Sequence, residues 1–224
     1  MRKSFCSLIS FLLFSLLACG ATPAHWYVAP TGNDANDGSK RKPLKTIANA
    51  LQRVNPGDTV FLREGSYGEF VVPTRSGKPG KMITLKSYPG ETARIDGSGL
   101  YIKGWGNALV QLNSIDYMQF ENLHICHAHD SENNTDPEGI YISGTSGNIT
   151  FRGCKVYDIK NDCPLVDAKG DWRSAHAILV LGNNDNTPIR NLLIEKCEIF
   201  EIHSGTSEAF TLAGNVVDFT IQDN

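Results

Sequence analysis

The chain has 224 residues, a formal net charge of −3 at pH 7 and 41% hydrophobic residues. One domain with a sizeable core is expected from that length and apolar content. No basic excess dominates, so a nucleic-acid partner is not expected, and the near-neutral balance does not by itself name a substrate.

Arg2 and Lys3 precede an apolar run, Leu8 to Ala18, that is too short to span a bilayer and has the layout of a secretory signal over residues 1–24. Leu16-Leu17-Ala18-Cys19 resembles a bacterial lipobox, which would make Cys19 a lipidated first residue and the one link to a membrane. Ordinary cleavage after Ala24 is the alternative. The folded domain is then residues 25–224.

Trp26 to Pro30 reads as a strand, followed by the turn-forming run Thr31 to Gly38, whose Asp and Asn residues lack the closing glutamate of a twelve-residue calcium loop. Thr46 caps a short amphipathic helix to Val54, with Ile47, Ala50, Leu51 and Val54 at helical spacing and Asn55-Pro56-Gly57 as its stop. Thr59–Leu62, Phe70–Val72, Met82–Lys86 and Ala93–Asp96 are short strands bounded by Gly and Pro.

From Leu109 onward one pattern recurs. Setting Gly144, Gly182 and Gly214 in a column stacks Ile142, Val180 and Leu212. A second column holds Phe120, Phe151, Ile194 and Ile221, and a third begins at Cys154 and Cys197. Each unit is three segments with apolar residues at alternate positions, the mark of half-buried strands. One such unit cannot bury its apolar face alone, so stacking turns about 4.8 Å apart makes a continuous core. The expected fold is therefore all-β, a parallel β-helix with the Thr46–Val54 helix laid over its first turn. The chain stops at Asn224 in mid-turn, and the coil is expected to continue beyond it. Cys154 and Cys197 point inward from neighbouring turns, either as a stacked pair of thiols or as a disulfide, while Cys163 sits in a loop.

The repeats also align polar residues. Glu138, His176 and Glu208 each stand one place before the first strand of their turn, within roughly 10 Å end to end. A second ladder leaves the third strand: His127, Asp158 and Glu201, then His129, Lys160 and His203 two places on. Carboxylates, imidazoles and a lysine beside the longest loops are the ingredients of proton transfer, although such ladders also form at strand ends merely by salt-bridging. Trp172, Arg173 and Tyr157 could line a sugar cleft by stacking and by pairing carboxylates, or simply pack on the coil.

Tyr27-Val28-Ala29-Pro30-Thr31-Gly32, Pro43-Leu44-Lys45-Thr46-Ile47, Pro56-Gly57-Asp58-Thr59-Val60, Tyr88-Pro89-Gly90 and Ile95-Asp96-Gly97-Ser98 resemble the N-terminal region of secreted right-handed parallel β-helix proteins, including the pectate lyases of polysaccharide-lyase family nine. The resemblance implies an envelope or extracellular protein that cleaves an acidic, uronate-containing polysaccharide by β-elimination, with a lysine base and calcium held by clustered aspartates. That family's run of calcium-binding aspartates is not found here, so its metal site is not carried over and the metal ligands stay unknown. The residues themselves nominate Lys160 as base, Glu138, His176 and Glu208 as holders of a cation or sugar, and Arg173, Trp172, His129 and His203 as substrate contacts. A glycoside hydrolase using Glu138 and Glu208, or a carbohydrate-binding solenoid without turnover, are the alternatives.

Overall fold

A computed structural model describes residues 24–102, 106–164 and 170–224. Residues 1–23, with Cys19 and nearly all of the expected signal segment, lie outside them. Sixteen strands, β1 (His25–Val28), β2 (Thr59–Leu62), β3 (Gly65–Tyr67), β4 (Ile83–Ser87), β5 (Ala93–Asp96), β6 (Ala108–Asn113), β7 (Asp116–Glu121), β8 (Leu123–Asp130), β9 (Glu138–Ser143), β10 (Gly147–Arg152), β11 (Lys155–Asn161), β12 (His176–Gly182), β13 (Ile189–Glu195), β14 (Glu198–His203), β15 (Phe210–Gly214) and β16 (Val216–Gln222), wind with one helix, α1 (Ile47–Arg53), into a parallel β-helix. Its three sheets run β1-β2-β4-β7-β10-β13-β16, β14-β11-β8-β5-β3 and β15-β12-β9-β6.

The register is the one the apolar columns require. Ile142 pairs with Val180 and Val180 with Leu212; Phe151 lies between Phe120 and Ile194, and Ile194 pairs with Ile221. Like-on-like stacking leaves Phe120, Phe151, Ile142, Val180 and Ile194 without solvent contact. In β16, Phe219 and Ile221 are half-exposed, because no described strand lies beyond them.

Helix α1 covers the first turn with Ile47, Ala50 and Leu51 buried. Thr46 caps it by accepting from the Asn49 amide at 3.2 Å, and the Glu69 carboxylate accepts from the Ile47 and Ala48 amides. These satisfy donors that a helix start leaves open. The Asp34 carboxylate, in the turn-forming run, accepts from the Lys45 and Thr46 amides and the Thr46 hydroxyl, so that run positions the cap.

One local expectation is corrected and an open one is decided. Phe70–Val72 forms no strand: Val71 alone bridges to Val110, since Pro73 ends the segment and has no N–H to extend a ladder. The strand of that turn in the five-stranded sheet is β3, whose Gly65-Ser66-Tyr67 shows no apolar alternation. Cys126, Cys154, Cys163 and Cys197 are all buried free thiols, which decides between the two readings of the Cys154–Cys197 pair.

The sequence pattern also conceals a bend. His127, Asp158 and Glu201 occupy one column of the second sheet, each in the left-handed region, with φ of 61°, 53° and 55°. Asp and His tolerate that conformation better than most side chains. There the inward phase slips by one, from Ile125 to Ala128 and from Val156 to Ile159. His127, His129, Asp158 and Lys160 consequently all avoid the core. Tyr117, Asn148, Asn191 and Asp218 make an equivalent left-handed column in the seven-stranded sheet, joined by an Asn191–Asn148 hydrogen bond of 3.0 Å.

Candidate functional site

The second ladder forms a connected polar surface on β8, β11 and β14. Lys160 lies in register between His129 and His203. Its Nζ is 3.2 Å from Asp158 Oδ1, and His129 Nε2 is 2.9 Å from Asp158 Oδ2. Burial pushes the Asp158 carboxyl up, but hydrogen bonds from Lys160 and His129 outweigh it and hold it below the usual carboxylate range. His203 Nδ1 meets Asp162 Oδ1 at 3.2 Å on the exposed side. Beyond His129 opens a cleft of about 330 Å³ bounded by Leu100, Tyr101, Ile102, His129, Asp130 and Asp162. Tyr157 stacks on Phe200 with ring centroids 4.8 Å apart and packs edge-on to His127, so it is part of the coil's outer aromatic stripe.

One turn back, Asp96 faces the same column. His127 Nδ1 is 2.9 Å from Asp96 Oδ1. Burial raises the Asp96 carboxyl, yet hydrogen bonds from Ser98 and His127 prevail and lower it to about 2. Asp96, Cys126 and His127 bring ligand atoms within 4.8 Å of one another. Sequence reasoning missed Asp96 here, although the register Asp96 opposite Cys126 carries the signal.

The first ladder is built differently from its column. Glu138 and His176 do pair in register, but Glu138 is wholly enclosed. Burial, reinforced by Asp136, raises its carboxyl to about 9, and its Oε2 has no hydrogen-bond partner among the described residues. His176 turns instead to two residues outside the ladder: Nδ1 is 2.8 Å from Asp136 Oδ1, and Nε2 is 2.9 Å from Ser207 Oγ. Glu208 is exposed and reaches this group only through the Ser207 hydroxyl, 3.2 Å away. Gly205 makes the approach possible: at φ 63° its Cα lies so near the Arg173 carbonyl that a Cβ would sit 2.6 Å from that oxygen.

Arg173 and Trp172 belong to the loop that docks on the turn before β9. The Trp172 amide donates to Asn134 Oδ1 at 3.2 Å, and its carbonyl accepts from the Asn134 amide at 2.8 Å. The Arg173 guanidinium donates from Nη1 to the Cys163 carbonyl, while its buried Nε has no partner among the described residues. Asn161 pins the other side of the turn, donating to the Glu132 carbonyl and to Thr135.

The model of the Pel9A-like right-handed beta helix region matches residues 26–211. The chain belongs to that family. It is 32% identical over 191 residues to the uncharacterized protein YwoF of Bacillus subtilis, covering 85% of this chain and 41% of that protein. Pectate lyase PEL9 of Emericella nidulans is 26% identical, with 62% of this chain and 35% of that protein covered. Among solved structures, pectate lyase Pel9A superposes with a TM-score of 0.55 at 20% identity, covering 82% of this chain and 51% of that one. A GH136 lacto-N-biosidase from Eubacterium ramulus gives 0.60 at 18% identity, covering 81% and 34%. These two likenesses show the right-handed β-helix fold. The chain spans less than half the length of the curated relatives it matches.

The family resemblance implies calcium, which takes a shell of oxygens. Among the described residues, the three-residue group close enough to share an ion offers one carboxylate, one imidazole and the Cys126 thiol, which burial raises to about 11. That set suits a softer metal and does not fit calcium, so no step below runs through that ion.

Proposed function

We propose that this chain carries the catalytic face of an enzyme that cleaves an acidic polysaccharide by β-elimination, with Lys160 as the base. The observation that carries the reading is the position of Lys160, partly exposed and in register between His203 and His129, the latter a lining residue of the cleft. The relatives named as pectate lyases support the substrate class.

In this reading the Lys160 amine takes the proton from the carbon beside a uronate carboxylate. The freed electron pair forms the double bond as the glycosidic oxygen leaves the neighbouring carbon. His129 and His203 flank the carboxylate and stabilise charge that develops there when they are protonated. Arg173 and Trp172 would extend substrate contacts onto the docked loop; His176 opens β12 beside it, and Glu208 lies in the segment between β14 and β15. The full enclosure of Glu138 disfavours a hydrolase that needs Glu138 and Glu208 to face one sugar ring.

The proposal includes export, on the leader-like composition of residues 1–24, with either lipidation at Cys19 or cleavage after Ala24. No helix among the described residues is long and apolar enough to cross a membrane. Incubation with pectate, alginate and glycosaminoglycans tests the proposal. Products bearing an unsaturated end support it; saturated products, or binding without turnover, refute it.

A further inference from the structure

Ser207, His176 and Asp136 form a linear hydrogen-bonded relay. Asp136 Oδ1 lies 2.8 Å from His176 Nδ1, and His176 Nε2 lies 2.9 Å from Ser207 Oγ. Asp136 and His176 are buried, whereas Ser207 is partly exposed at the end of the relay. We propose that this relay is a nucleophilic centre that hydrolyses carboxylate esters carried by a polysaccharide, a second activity distinct from β-elimination.

The geometry meets the requirements for an activated serine: the nucleophile is in hydrogen-bond reach of a base, and the base is oriented by a third group. With Nδ1–H donated to Asp136, the Nε2 lone pair faces the Ser207 hydroxyl. As Oγ bonds to the ester carbonyl carbon, its proton passes to Nε2 and the carbonyl electron pair moves to oxygen. Collapse breaks the ester C–O bond, and His176 returns the proton to the departing alcohol oxygen. Water then repeats the sequence on the acyl-serine, releasing the acid and restoring Ser207. The Glu208 backbone N–H directly follows the serine, the position from which serine hydrolases draw an oxyanion donor.

Asp136 orients the imidazole through its 2.8 Å contact with Nδ1. Glu138 is the neighbouring buried carboxyl, raised to about 9 by burial and by Asp136. The exposed carboxylate of the adjacent Glu208 competes for the serine proton at 3.2 Å. Asp136 is a positioning residue in this scheme, and Ser207 and His176 are the catalytic ones.

The experiment treats the full chain with a fluorophosphonate probe and maps the adduct by mass spectrometry, alongside hydrolysis of p-nitrophenyl acetate. Acetylated and methyl-esterified polygalacturonate, assayed for acetate and for methanol, distinguish an acyl ester on a sugar hydroxyl from an ester of the uronate. The expected result is an adduct on Ser207, hydrolysis reduced about 1,000-fold or more in Ser207→Ala, and an Asp136→Asn variant with lower kcat at unchanged KM. Ser207→Ala removes only a partly exposed hydroxyl, and circular dichroism verifies its fold. A folded wild-type chain that forms no Ser207 adduct and releases neither acetate nor methanol overturns the proposal, as does undiminished hydrolysis in folded Ser207→Ala.

Discussion

Phe120 and Phe151 stack face to face across neighbouring turns, ring centroids 4.6 Å apart and 7° from parallel. Both are fully buried, and they join the core of the early turns to that of the later ones. Dispersion and apolar burial at this step hold two turns in register, so the stack is where the solenoid is most sensitive to a change of shape.

Phe151→Ala should cost about 3–5 kcal/mol, and Phe151→Asp should prevent folding by burying an unpaired charge. Thr150→Asp, whose side chain is on the outer face of the same strand, should be tolerated. Urea unfolding followed by circular dichroism checks all three. Equal loss at positions 150 and 151 would mean the inward phase of β10 is wrong.

The columns were legible because alternation is a local property: Ile142, Val180 and Leu212 each declare their face within one short strand. The left-handed bend at His127, Asp158 and Glu201 was not, since the tolerance of Asp and His for positive φ is too weak a preference to mark a bend in mid-strand, and Glu201 lacks it. Lys160 was placed correctly because it follows the bend in every turn alike. Asp136 and Ser207 escaped because they lie in loops of unequal length, where no column exists to align them. Their contact with His176 depends on how Gly205 and Arg173 bring two loops together, which is a tertiary fact.

Glu138 gives stability a distinctive pH dependence. Its folded-state carboxyl, raised to about 9 by burial and by Asp136, stays protonated where the unfolded one has ionised. The unfolded state therefore binds fewer protons, and this group's contribution to stability falls as pH rises from about 4.5 toward 9, by about 1.4 kcal/mol per pH unit. Glu138→Gln removes that component. Urea midpoints at pH 5 and pH 8 should diverge in the wild type more than in the variant; identical slopes would show that Glu138 is ionised in the folded protein.

Asp96 acts with the opposite sign. Its carboxyl, held at about 2, contributes stability that is complete above pH 4 and is lost as pH falls through 2. Asp96→Asn should leave stability near pH 2 little changed while lowering it at pH 6, measured by thermal unfolding at both values. An equal loss at both would assign the effect to packing instead of to charge.

The four described cysteines should resist iodoacetamide in the native protein, because all are buried, and should all be alkylated once the chain is unfolded without reductant. Peptide mapping provides the readout. Failure of Cys154 and Cys197 alone to react after unfolding would reveal a disulfide between them.

The most direct test of the account is the initial rate at which unsaturated ends appear from polygalacturonate, followed by ultraviolet absorbance, for the wild type and for Lys160→Ala. A wild-type enzyme that generates double bonds, with a rate reduced about 10²–10⁴-fold in a folded Lys160→Ala variant, is the predicted result. Undiminished elimination in that variant, or no double bonds from the wild type, would contradict it.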